Sequence, residues 1–496
     1  MPAQQSRLRN AAIALLVLAL VLSFIALVGP NVLLRSGYIA GRLNKDPESG
    51  WLEYDSAGSR WPGTVHVKNL RFRDRDPEAE WGFQLDEADI TYSLGGLLRR
   101  KFHVTRLSGR GFVFHARSRL APKEATPVRL RRIPPIPGFP DPPLSGPSKP
   151  QRPPTGKEWT ILVDGVAVES VREVWIDEYR FVGDARVTGG FFLRPRHRAE
   201  VHPAKLAARN GTLWSGRDAI ARDVRATIET RIGAWDPRAF PGSRMLRFVS
   251  GDAEATGRLD DAEILNRLIG EPPGTRFERG SGRMNVNATV EGGVARGTID
   301  YASPDLALRV LDVAMRGRFG GLLRLSGVRL RDWGGGRLNG GRVSLTDARV
   351  SDGDGKTRPW WGRIDFETGD FRPKARALFT TTASAHARDA QPLLEIANVD
   401  PPGWVERLLR LDEPVAARAA VRVGRSLVEL RRMVARTGKV RISGDYVASG
   451  RSKSGTFLVD TGLLSVGIGI GGDGRDVRVF GPRKWFRERT GWEPSD

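Results

Sequence analysis

Along most of the chain apolar residues alternate with polar ones, the period-two pattern of strands with one buried face. In "KFHVTRLSGRGFVFHARSRL", Lys101 to Leu120, Phe102 and Val104 share a face. Past a Gly109–Gly111 break, Phe112, Phe114 and Ala116 alternate with Val113, His115 and Arg117. Upstream, "GTVHVKNLRFRD" alternates through Val65 and Val67 and then shifts phase to Leu70 and Phe72, which predicts a bulge or short turn near Asn69. "WGFQLDEADITYS" alternates Phe83 and Leu85, then Ala88 and Ile90, and "LGGLLRRK" predicts a short helix or turn. Strand text resumes at Trp159, again over 282–382, and again over 421–480. Helical patterning interrupts it twice. Near 234–271, Ile264, Leu265, Leu268 and Ile269 share a helix face, with Asp260 placed to cap its start. Near 390–411, Pro401–Pro402 head a second helical segment. With 58 Gly and 32 Pro, the composition favours many turns between short strands.

Two segments break the strand pattern altogether. "AAIALLVLALVLSFIALV", 11–28, carries no charge and as a helix spans about 27 Å, close to the hydrocarbon thickness of a bilayer. It is longer than a signal-peptide core, and "SFIALVGPNV" offers no A-x-A site, so an uncleaved transmembrane anchor is expected over 1–35. Arginines and a lysine lie on both sides of it, so charge does not orient it. Residues 121–156 include "RRIPPIPGFPDPPLSGPSKPQRPPTG", too rich in Pro for a sheet interior or a helix, and read as a linker or inserted loop. The remaining divisions are a β segment over 36–120, an elongated β region over 157–480 containing both helical insertions, and a basic C-terminal tail over 481–496.

The net charge of +22 suits acidic partners such as anionic headgroups, acidic polysaccharide or nucleic acid. Arginine is dispersed and no nucleic-acid module is visible, so no nucleic-acid partner is expected. There is no cysteine, which excludes disulfides, thiol catalysis and Cys-ligated metals. No G-x-S-x-G or H-E-x-x-H occurs. Gly355-Lys356-Thr357 ends like a phosphate-binding loop, but Val350 stands where its first Gly belongs. "GGDGRD", 471–476, matches the start of a calcium nonapeptide in a single copy and reads as a hairpin turn. His66, His103, His115, His197, His202 and His386 lie in strand or turn text without ligand spacing. The carboxylates Asp74, Asp76, Glu78 and Glu80, and Asp86, Glu87 and Asp89, read as solvated turns. The expectation is therefore a protein that is not an enzyme, with no catalytic residues, cofactor or metal.

The stretch from Trp61 to Arg117, with its "v-x-v-x-x-L-x-F" strand, the acidic "DEADITYS" strand, the Leu-Leu-Arg turn and "i-x-x-L-x-G-x-x-F", resembles the AsmA-like family of bridge-like envelope proteins. "RLSGRGF" at Arg106 has an echo in "RLSGVRL" at Arg324, in keeping with a sheet that adds similar strands. The resemblance implies a mainly β protein: an N-terminal transmembrane helix followed by a long, curved antiparallel β-sheet gutter with a few short helices. It implies single-pass anchoring in a bacterial inner membrane, with the bulk of the chain in the periplasm. It also implies binding of phospholipid acyl chains and a role in phospholipid transport or outer-envelope biogenesis, with other envelope proteins as further partners. At about 12–15 residues per strand and turn, roughly 25 strands and a gutter of about 120 Å are expected. The candidate lipid-facing residues are Val65, Val67, Phe72, Phe83, Leu85, Phe102, Val104, Phe112 and Phe114. The alternative is a membrane-tethered structural or adhesion β-protein that binds polysaccharide or another envelope protein.

Overall fold

The computed structural model describes residues 36–44, 50–75, 78–131, 133, 135–146, 158–195, 197–240, 242–269, 275–310, 313–331, 335–351, 357–372, 377–389, 392, 413–424, 427–449, 452–471 and 474–494. The chain divides into two compact units, residues 1–219 with 223–251, and residues 220–222 with 252–496. The protein is mainly β, with twenty-four strands and a few short helices among the described residues. None of these helices is long and apolar enough to cross a membrane; the apolar run 11–28 and the segment 393–411 lie outside the described residues.

In the first unit, helix α1 (Tyr38–Leu43) precedes strands β1 (Trp51–Glu53) and β2 (Ser56–Gly58), which both pair with β3 (Thr64–Arg75). β3 pairs with β4 (Ala79–Tyr92), and helix α2 (Leu94–Leu97) leads into β5 (Lys101–Arg110) and β6 (Phe112–Ser118). β5 and β6 both pair antiparallel with β4, so they are two lengths of one line of chain. Gly111 breaks it: its φ is +69°, and a Cβ there would lie 2.1 Å from an Asp86 oxygen, so only glycine fits.

β7 (Thr160–Ile176) pairs parallel to both β5 and β6, and the expectation of a purely antiparallel sheet is corrected to a mixed one. Parallel neighbours need a crossover that carries the chain back to its starting end. Residues 119–159 make that crossover, and the proline content predicted as a linker or inserted loop belongs to it. The described residues of 120–146 include a short 3₁₀ turn, helix α3 (Pro127–Leu130), a parallel bridge from Leu120 to Leu144, and the buried Ile136. β8 (Tyr179–Arg194), β9 (Arg198–Ser215) and β10 (Asp218–Trp235) then extend the sheet by hairpins.

These strands are long. β9 and β10 have 18 residues each, or about 59 Å at 3.3 Å per residue, where the Gly and Pro content predicted short ones. Many of the glycines sit inside strands, where they relieve cross-strand crowding rather than end the strand. The phase shift at Asn69 is also not a bulge. Lys68↔Glu87 and Leu70↔Leu85 keep one register, so no residue is inserted; Asn69 takes a left-handed φ of 51° instead.

The region 234–271, expected to be helical, is mixed: β10 ends at Trp235, a 3₁₀ helix spans Gly242–Phe248, β11 spans Val249–Leu259, and α4 spans Ile264–Ile269. Asp261, not Asp260, accepts the hydrogen bond from the Glu263 N–H before α4, at 2.9 Å. Asp260 is instead paired with Arg222 and Arg258. Strands β12 (Thr275–Arg279) and β13 (Gly282–Glu291) share β14 (Val294–Val310) as β5 and β6 share β4. An antiparallel meander follows through β15 (Val313–Arg329), β16 (Gly336–Ser351), β17 (Thr357–Phe371), β18 (Ala377–Ala387), β19 (Val415–Gly424), β20 (Leu427–Thr437), β21 (Val440–Ser449), β22 (Ser452–Asp460), β23 (Ser465–Gly471) and β24 (Gly474–Arg478). The expected basic tail is helix α5 (Pro482–Thr490), packed on β22 and β23. Its Phe486 is fully buried, 5.2 Å from the Trp492 ring.

Candidate functional site

Residues that pair directly across two strands lie on the same face of a sheet. In the first unit this rule places seven of the nine candidates, and ring contacts add Phe102 and Phe112. Val65 pairs with Ile90, Val67 with Ala88, Phe72 with Phe83, Leu85 with Leu70, and Phe83 with Phe114. Val104 pairs with Tyr92, whose ring lies 5.9 Å from that of Phe102. Phe112 lies 6.1 Å from Phe83 and 6.3 Å from Phe114. With Trp81 at 5.4 Å from Phe72, these rings form an aromatic ladder over β3, β4 and β6. The face continues through Val166, Val168, Val171, Phe181, Ala185, Leu206 and Ala208 of β7–β9. The sequence carried these residues in the same alternation, but without the aromatic density that singled out the first nine.

Burial along the face is graded. Val67, Leu85 and Val104 are buried, while Val65, Phe72, Phe83, Phe112 and Phe114 are half-buried and Phe102 is exposed. The strands pack against their hydrogen-bonded neighbours. The helices of the unit touch it at its margin, α1 on β1 and α2 on β5, and no second sheet or helical layer stacks on the apolar face among the described residues. The half-buried rings are thus covered by each other along the sheet and not by a layer above it.

The opposite face is a ladder of arginine–carboxylate ion pairs and histidine–carboxylate contacts. Asp86 binds Arg172 at 2.8 Å, Glu87 binds Arg110, and Asp89 lies 2.9 Å from the His66 ring. His103 meets Asp164, and Glu173 joins His115 at 3.3 Å to Arg180 at 3.0 Å. These histidines and carboxylates, read as polar-face and solvated residues, are cross-strand partners of one another. The hydrogen bond from Arg110 holds the Glu87 carboxyl below its ordinary range. Glu80 is different. It is buried and receives the Arg117 Nε–H at 2.8 Å, with neither side chain more than 1% exposed. Arg117 also donates to Asp141 and, at 2.8 Å, to the Pro140 carbonyl, tying the crossover to β6.

The second unit has an apolar row of its own: Ile364, Ala385, Ala417, Ala435, Ile442, Val459 and Val466 pair in succession from β17 to β23. Tyr446 lies near it in β21, buried, and burial pushes its hydroxyl pKa up. Residues 352–356, which hold most of "GDGKT", and the centre of "GGDGRD" lie outside the described residues.

The fold and the face together define a long-stranded, mainly β protein with a sheet polar on one side and apolar on the other. Comparison of the chain with protein-family models, with curated proteins and with solved structures finds no match in any of the three.

Proposed function

We propose that this chain is a membrane-anchored, non-enzymatic envelope protein of the AsmA-like type, which holds phospholipid acyl chains against the apolar face and so assists lipid movement or outer-envelope assembly. In this reading 11–28 is the anchor in a bacterial inner membrane and the β units lie in the periplasm. One observation carries the reading: a contiguous apolar face with a half-buried aromatic ladder and no layer stacked on it among the described residues. Such a face in water invites association with something apolar. An acyl chain gains about 0.8 kcal/mol for each methylene it removes from water.

The test is mass spectrometry of lipids that co-purify with the detergent-extracted chain. Phospholipid is expected with the native sequence. Phe83→Glu and Phe112→Glu, which place charges in the ladder, are expected to lose most of it, while Arg110→Ala on the polar face retains it. A lipid-free native protein overturns the reading in favour of a structural role.

A further inference from the structure

One end of the first unit carries exposed apolar residues that the acyl-binding face does not account for. Leu98, in the turn after α2, is 91% exposed; Trp61, in the β2–β3 turn, 72%; Trp159, just before β7, 47%; and Leu94, opening α2, 42%. Backbone contacts draw these turns together. The Tyr92 N–H donates to the Gly63 carbonyl at 2.7 Å, and a Cβ on Gly63 would lie 3.9 Å from Leu94. The Thr160 N–H donates to the Arg100 carbonyl at 2.9 Å, which sets Trp159 beside the Leu98–Arg100 turn.

The charge around them has one sign. Arg60, Arg99 and Arg100 are exposed, and Lys101 follows. The acids at this end are engaged: Glu158 is buried 3.6 Å from His197, and Glu200 pairs with Arg198 at 2.5 Å. Tryptophan and leucine set among arginines match the water–hydrocarbon boundary of an anionic bilayer, where rings sit at headgroup level and guanidinium groups meet phosphates. Gly37, at the start of α1, lines a cleft of about 810 Å³ that runs along β1 and β2 from Trp51 to Arg60, so the described chain begins over this edge of the sheet. Residues 29–35 separate it from the apolar run and span at most about 25 Å when extended.

We propose that this end of the first unit docks on an anionic lipid surface, with Trp61, Leu98 and Trp159 entering the headgroup–acyl boundary and Arg60, Arg99 and Arg100 meeting lipid phosphates. The proposal rests on 11–28 being a membrane anchor. It does not rest on acyl chains occupying the sheet face.

The absence of cysteine gives a direct test. The full chain carrying Leu98→Cys, labelled with an environment-sensitive fluorophore, is reconstituted into phosphatidylcholine–phosphatidylglycerol vesicles that contain a headgroup-proximal spin-labelled lipid. Arg217→Cys, in the β9–β10 turn at the other end of the same unit's strands, is the reference. The position 98 label is expected to be quenched and the position 217 label to stay in water. Trp61→Cys repeats the measurement at a second site. Arg60→Glu with Arg99→Glu is expected to lower quenching at position 98 about twofold or more, and pure phosphatidylcholine to do the same. Equal quenching at 98 and 217, no quenching at 98, or a chain that does not float with vesicles overturns the proposal. Lipid co-purification is read separately, so a lipid-free sheet face leaves this result standing.

Discussion

Arg117 is a full charge with none of its side chain exposed, held by Glu80, Asp141 and the Pro140 carbonyl. Removing one partner of such a pair strands the other in a low-dielectric site, at a cost of about 3–5 kcal/mol. Arg117→Met is therefore expected to lower the urea midpoint of the first unit and to raise hydrogen exchange over 136–146. Glu80→Met combined with Arg117→Met is expected to recover most of the stability; equal loss in the single and double variants would count against a buried pair. This site was not legible in the sequence. Glu80 stands in an acidic run that looks solvated, and Arg117 looks like one more polar-face arginine. Their pairing depends on β6 lying beside β4, 37 residues away along the chain. The aromatic ladder was legible, because Phe72, Phe83, Phe112 and Phe114 each obey the local period of two whatever strand lies beside them.

At the scale of elements, strand existence was read well and strand length was not. Glycine inside β8, β15 and β22 resembles a turn signal, yet Gly183, Gly317 and Gly455 sit where a Cβ would press on a neighbouring strand or ring. The parallel join of β7 was illegible as well, since alternation does not distinguish parallel from antiparallel neighbours. α5 was read as a basic tail because Arg483, Lys484, Arg487 and Arg489 dominate it. Its buried stripe is narrow: Phe486 is fully enclosed, and Trp485 lies so near Gly467 that a Cβ there would sit 2.7 Å from the indole. Arg489 stacks over the same indole at 4.9 Å, and Trp492 donates to Asp445 at 3.3 Å. Phe486→Ala is expected to cost about 3–5 kcal/mol at this end of the second unit. Hydrogen exchange should rise across β22 and β23 and stay unchanged in β14 and β15; an even rise through the unit would contradict a local role for α5.

At the scale of the whole chain, alkaline pH is the informative variable. Burial raises the pKa of Tyr54, Tyr92, Tyr301 and Tyr446, two in each unit. Above the ordinary tyrosine value of about 10, the unfolded chain releases these protons while the folded chain retains them. Stability from these groups is thus fully present below about pH 10 and declines as pH rises through the folded values. Urea unfolding at pH 8 and pH 11 checks this, with a lower midpoint expected at pH 11 and a flat profile contradicting it. Acid acts through the carboxylates. The hydrogen bond from Arg431 holds Glu429 below its usual range, so its contribution is lost as pH falls through the folded value.

The crossover between β6 and β7 has a kinetic consequence. The nearby pairs β3–β4, β7–β8 and β8–β9 are hairpins whose ends start close together, but β7 finds β5 and β6 only after residues 119–159 have closed on themselves. Closing about 40 residues rather than two costs roughly 3 kcal/mol more in chain entropy before any contact between the strands is made. Pairing of β7 is therefore expected to lag the hairpin pairing of β3 with β4. In the folded unit the Arg117 clasp on Pro140 and Asp141 holds the returning chain against β6.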